Sequence, residues 1–152
     1  MYRRHLKIAV VLLALLGALV TTTQASAAPA GENGTTGTII NMAQVPANGK
    51  VNCFNYIGTF KTGTYVMVVD WATSTQECFG IAPDRTIWHA WPGSGGWKQM
   101  PGNGRADLIY AQILEWSNGG RTIWVFVGTG SYWCQDYIPG LGWEAIWYRC
   151  YP

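Results

Sequence analysis

Charge is scarce in this chain, and histidine scarcer. Asp, Glu, Lys and Arg make up 12 % of the 152 residues, and there are two histidines. Three of the ten basic residues, Arg3, Arg4 and Lys7, belong to the N-terminal leader described below. Without them seven bases face eight acids, a net charge of −1. That balance lacks the basic footprint of a nucleic-acid binder, so no nucleic-acid partner is expected. No two of the four cysteines have C-x-x-C spacing, and only His89 could join them, so neither a metal site nor a cofactor is expected. No Gly-x-Ser-x-Gly elbow occurs. Helical periodicity is nearly absent, and no apolar run reaches the roughly 20 residues that cross a bilayer.

The longest apolar run, Ile8 to Val20, covers 13 residues. It follows a positive start and precedes the small-residue stretch "TTTQASAA", the order of a secretory signal peptide. Ala25 and Ala27 place cleavage after Ala27, with Ala30 as the alternative. A mature chain beginning at Ala28 has 125 residues, enough for one domain with its own core. Its opening, "APAGENGTTG", is small and polar. Residues 28–49 are therefore expected to be a flexible segment, and 50–152 a single domain. An exported chain with an even cysteine count implies two disulfides among Cys53, Cys78, Cys134 and Cys150. The pairing Cys53–Cys78 with Cys134–Cys150 is favoured because each bond closes a modest loop. If the chain ends meet across a closed sheet, Cys53–Cys150 with Cys78–Cys134 is equally reasonable, and the sequence does not decide.

What the chain has in quantity is aromatic residues and glycine. It holds nine Trp, eight Tyr, four Phe and 19 Gly, too many aromatics for a solvated disordered chain. Short β-branched and aromatic runs fall at 51–60, 64–71, 86–91, 108–116, 122–127, 132–138 and 144–150. They are separated by turn clusters such as "PGSGG", "PGNG", "SNGG" and "PGLG". This spacing predicts an antiparallel all-β domain. "ADLIYAQILEW" is the one stretch where a helix competes, but it has no consistent helical face and is read as strand. A degenerate repeat runs through these strands. Placing Arg85 on Arg121, at an offset of 36, matches Thr86 with Thr122, Ile87 with Ile123, Trp88 with Trp124, Trp97 with Trp133 and Gln99 with Gln135. The Pro101-Gly102-x-Gly104 turn recurs as Pro139-Gly140-x-Gly142. Repetition of this kind predicts a meander of Trp/Gly repeats, propeller-blade-like or closed into a compact barrel.

The stretch "DRTIWHAWPGSGGWKQMPGNGRAD" resembles a blade of the tachylectin and tectonin type of propeller lectin. "TIWVFVGTGSYWCQDYIPGLGWEA" is similar to blades of the small bacterial fucose-binding propeller lectins. The resemblance covers Asp84 to Ala145, about half of the mature chain, and two or three modules are too few to close a typical propeller. Either other strands complete the fold, or several copies of the chain form one ring, or a compact barrel or sandwich uses similar hairpins. The resemblance implies sugar binding, with Trp97, Trp133 and Trp143 as platforms and Arg85 and Arg121 as donors to hydroxyls.

Independently of that likeness, an apolar sugar face packs flat on Trp, and sugar hydroxyls favour fixed polar partners. Trp91, Trp97, Trp133 and Trp143 all lie beside glycine-rich turns. The competing reading is that these tryptophans are core, most strongly for Trp88 and Trp124 within strands. Arg85 and Arg121 equally suit strand-end caps. Enzyme readings have less behind them. His89 is the only histidine of the mature chain, and strand alternation puts it on the face of Ile87 and Trp91, where a strand histidine with satisfied hydrogen bonds is the simpler reading. Ser94, Ser117 or Ser131 with Asp84 or Asp107 could be drawn into a triad, and Glu77 with Asp107 into a carboxylate pair, without any motif to select them. The Glu, His and Arg trio used by secreted ribonucleases is present only in the sense that all three residue types occur. The expectation is a secreted, extracellular, non-enzymatic lectin-like domain that binds glycans or cell-wall polysaccharide, with homo-oligomers permitted. The alternative is a disulfide-stabilised inhibitor or cell-surface structural protein with no sugar ligand, presenting the segment 70–76 before Cys78.

Overall fold

A computed structural model describes residues 37–151; the expected leader 1–27 lies outside the described residues. The chain is all-β and antiparallel. Its strands are β1 (Thr38–Gln44), β2 (Lys50–Cys53), β3 (Tyr56–Thr59), β4 (Tyr65–Asp70), β5 (Gln76–Ile81), β6 (Ile87–Ala90), β7 (Lys98–Gln99), β8 (Leu108–Glu115), β9 (Arg121–Val127), β10 (Ser131–Ile138), β11 (Gly142–Trp143) and β12 (Tyr148–Cys150). One sheet runs β1-β4-β5-β6-β7, the other β11-β10-β9-β8 with β12 also on β10, and β2-β3 forms a separate hairpin. An isolated bridge, Thr86 to Arg105, joins the connection before β6 to the one before β8.

The elements follow the sequence signals with instructive differences. "ADLIYAQILEW" is strand, as its glycine-rich flanks suggest. The run 51–60 is two strands instead of one, because Phe54 and Asn55 take φ of 51° and 67°. A two-residue connection with positive φ at both positions is the turn that matches the twist of a hairpin. Strand β5, "QECFGI", is absent from the expected runs. Thr38–Gln44, inside the stretch expected to be flexible, pairs with β4 through Gln44 opposite Tyr65 and Ile39 opposite Val69. Ladder hydrogen bonds to an open sheet edge order this stretch despite its weak apolar alternation.

Burial shows why β5 holds its place. Strand alternation sends Met67, Val69, Phe79, Ile81 and Ile87 into one core, where they meet Ile109, Ile113, Ile123 and Val125 of the second sheet. The opposite face of the first sheet sends Val66 and Cys78 into a second core with Val45, Val51, Cys53 and Phe60. Strand β5 therefore faces apolar packing on both sides. A strand buried on both faces carries no alternating pattern, so a pattern search passes over it. Gly80 belongs to this arrangement: a Cβ there would stand 2.6 Å from the Phe60 ring and 3.1 Å from Val66. Gly80→Ala is expected to lower stability by about 1–3 kcal/mol through overpacking. The check is urea denaturation, where the midpoint falls while the slope stays unchanged.

The cysteines pair as Cys53–Cys78 and Cys134–Cys150. The first ties the β2-β3 hairpin to β5, and the second ties β12 to β10. Both copies of the repeated phrase form antiparallel hairpins, β6-β7 and β9-β10. Their registers differ by one residue: Trp88 faces Gln99, whereas Ile123 faces Gln135. The repeat is a shared strand–turn–strand unit, and its two copies place their tryptophans differently.

Candidate functional site

Along four strands the inward-facing row changes character at one end. Strand β5 runs Ile81, Phe79, Glu77; β6 runs Ile87, His89 and on to Trp91; β9 runs Val125, Ile123, Arg121; and β10 runs Gln135, Tyr137. Period-2 alternation puts each set on one face. The aliphatic part forms the core between the sheets, and the polar and aromatic part opens a cleft of about 380 Å³. Its lining includes Glu77, His89, Trp91, Arg121, Tyr137 and Trp143.

Glu77 is the hub, only 4 % exposed. Four donors converge on its carboxylate. His89 Nδ1 lies 2.6 Å from Oε1, and Trp143 Nε1 donates to the same oxygen at 3.1 Å. Trp71 Nε1 donates to Oε2 at 3.0 Å, and Arg121 Nη1 approaches it at 3.5 Å. With its lone pairs engaged, this carboxylate is an orienting group. An ionised carboxylate only accepts, so His89 Nδ1 carries the proton in this bond. In the neutral form of the imidazole the lone pair then lies on Nε2. Nε2 has no hydrogen-bond partner among the described residues, and His89 lines the cleft.

Arg121 is 7 % exposed. Its guanidinium lies against the ring of Trp71, at 5.0 Å from the centroid, and that of Tyr137, at 4.5 Å. These aromatic faces attract the cation. Its Nε is sealed with no partner, and the long contact to Glu77 is its one ion pair among the described residues. Trp143 stands edge-on to Phe79, His89 and Tyr137, while Trp91 tilts over His89 with ring centroids 5.0 Å apart. The cleft thus has aromatic walls around one imidazole nitrogen and one under-satisfied cation.

Of the six residues expected to bind sugar, three meet here: Trp91, Trp143 and Arg121. The others lie elsewhere. Trp97 packs edge-on against Phe60 at 4.4 Å and donates Nε1 to the Tyr56 carbonyl, in a separate groove with Trp88. Trp133 packs on the inter-sheet core and lines a small apolar pocket with Trp147. Arg85 forms a two-pronged ion pair with Asp107, at 3.0 and 3.1 Å. The Gly128 amide, and then Lys61, hold the Asp107 carboxyl below the usual carboxylate range. Arg85 is thus a tie between connections, close to its reading as a strand-end cap. Glu77, Tyr137 and Trp71 carried no motif. The Glu, His and Arg set that looked trivial in the sequence is one hydrogen-bonded group, with Arg121 44 residues from Glu77 along the chain. The segment before Cys78 is tied down: Glu115 accepts from the Ala72 amide at 2.6 Å and the Thr73 amide at 2.9 Å. Neither a family model, nor a curated protein, nor a solved structure matches the chain.

Proposed function

We propose that this is a secreted carbohydrate-binding domain whose ligand sits in the Glu77–His89–Arg121 cleft. The observation that supports this reading is the joining of Trp91, Trp143 and Tyr137 around a fixed polar floor. Apolar sugar faces stack on such rings, while the guanidinium and the imidazole nitrogen offer a donor and an acceptor at fixed positions. Hydrogen bonds to Glu77 hold the floor's groups in place, which reduces the entropy lost on binding. Cell-wall or environmental polysaccharides are the ligand class, and Trp97, Trp133 and Arg85 leave the proposed site.

The test is a glycan array with the oxidised mature chain, read beside intrinsic Trp fluorescence. Saturable binding with a fluorescence shift is expected. Trp91→Ala is expected to weaken it by about 1–3 kcal/mol, the scale of losing one stacking platform. Trp97→Phe is expected to leave it unchanged. Binding lost in Trp97→Phe but kept in folded Trp91→Ala would move the site out of this cleft.

A further inference from the structure

We infer that the cleft takes an acidic polysaccharide, one containing uronate sugars, and cleaves it by β-elimination. The inference rests on the carbohydrate-binding reading and adds a ligand class and a chemistry to it. Three features carry it. Arg121 is a buried cation that lines the cleft, with an unpartnered Nε and one long ion pair, to Glu77. The Glu77 contact at Nδ1 selects the His89 tautomer that, in the neutral ring, carries its lone pair on Nε2. The Tyr137 hydroxyl has no hydrogen-bond partner among the described residues, and Tyr137 stacks on Arg121.

The shape of the surface supports a polymer. A second, more polar cleft of about 310 Å³ is lined by Thr73, Ser117, Asn118 and Pro139, and it shares Ser74, Arg121 and Tyr137 with the first. A glycan chain crossing both would pass Arg121 and Tyr137 at the junction, with one sugar among the tryptophans and the next on the polar shelf.

The chemistry suits these groups. Pairing of the uronate carboxylate with Arg121 spreads the charge that develops when C5 loses its proton. His89 Nε2 takes the C5 proton, and the C5–H electron pair becomes the C4=C5 double bond. The C4–O4 bond breaks, and the departing oxygen takes the Tyr137 phenolic proton. That oxygen leaves with the neighbouring sugar as its free reducing hydroxyl. The proton on His89 then returns through solvent to the tyrosinate. No water is consumed and nothing is oxidised or reduced. Glu77 touches no reacting atom; it is a positioning residue that holds the His89 ring and its tautomer.

The experiment incubates the oxidised mature chain with polygalacturonate, polymannuronate and a neutral cello-oligosaccharide. It reads both binding and the ultraviolet absorbance of the conjugated unsaturated uronate. Mass spectrometry then identifies fragments one water lighter than hydrolysis would give. Binding of at least one polyuronate above the neutral oligomer, with unsaturated product, is expected. His89→Gln and Tyr137→Phe should each lower turnover at saturating polyuronate by about 10²- to 10⁴-fold, the contribution of one positioned acid or base. Binding to the neutral oligomer without preference for polyuronates, or polyuronate binding without unsaturated product, would overturn the inference and leave sugar binding standing. A blank on every glycan would remove the binding reading and this inference together. Full turnover in folded His89→Gln would overturn the assignment of the base.

Discussion

Glu77→Gln is expected to destabilise the fold by about 3–5 kcal/mol, the cost of removing one partner from a buried ion pair. The substitution barely changes volume, so packing does not enter the comparison. Four donors point at the native carboxylate, and an amide in its place turns an NH₂ group toward part of that set. Arg121 loses its ion pair in a position where it is 7 % exposed. Chemical denaturation of the oxidised protein measures the loss. Adding Arg121→Met to Glu77→Gln should recover a large part of it, because the uncompensated cation is then gone. A double variant no more stable than Glu77→Gln would show that the indole and imidazole donors, not the arginine, account for the cost.

Reduction of both disulfides is expected to remove about 6 kcal/mol, about 3 for each loop by chain-entropy arithmetic. The loops span 25 and 16 residues, so neither bond dominates. Domains of this size have about 5–15 kcal/mol in all, so the loss takes all of it at the lower end and a little under half at the upper. The two losses should differ in kind. An isolated two-stranded hairpin is marginal in water. Opening Cys53–Cys78 therefore loosens β2-β3 from the first sheet, leaving it the packing around Val51 and Phe60 and the Trp97 hydrogen bond to Tyr56. Opening Cys134–Cys150 frees the short strand β12, which among the described residues pairs only with β10. Thermal unfolding of the Cys53→Ala/Cys78→Ala and Cys134→Ala/Cys150→Ala variants, each with its other bond intact, measures the two terms separately. Midpoints within a degree or two of the native protein would contradict the estimate.

The contrast between what the chain announces and what it conceals has physical causes. The all-β class is legible because turn residues and β-branched runs act locally. The inward face of His89 follows from alternation within one short strand. Strand β5 escapes because its two faces meet two different cores, which erases the polar half of the alternation. The meeting of Glu77, His89 and Arg121 escapes for another reason. It depends on which ends of the two sheets face each other, and that is set by topology, which a residue pattern does not encode. Trp91 and Trp143 were within reach because glycine-rich turns mark them. The same mark applies to Trp97, which packs on Phe60 in a separate groove. Arg85 and Arg121 occupy matching places in the repeat, yet one joins Asp107 at the surface and the other lies inside.

The double-sided burial of β5 bears on how this protein can change over generations. A strand with a solvent face absorbs drift there, but β5 has Phe79 and Ile81 in one core and Cys78 in the other. A replacement on it must satisfy whichever core it enters, so lineages descended from this chain should keep the strand, and Glu77 with it, while the cleft rim diverges. Trp91 and Ser74 line the cleft outside β5. New ligand preferences would arise there first, over a polar floor that changes slowly because the scaffold itself constrains it.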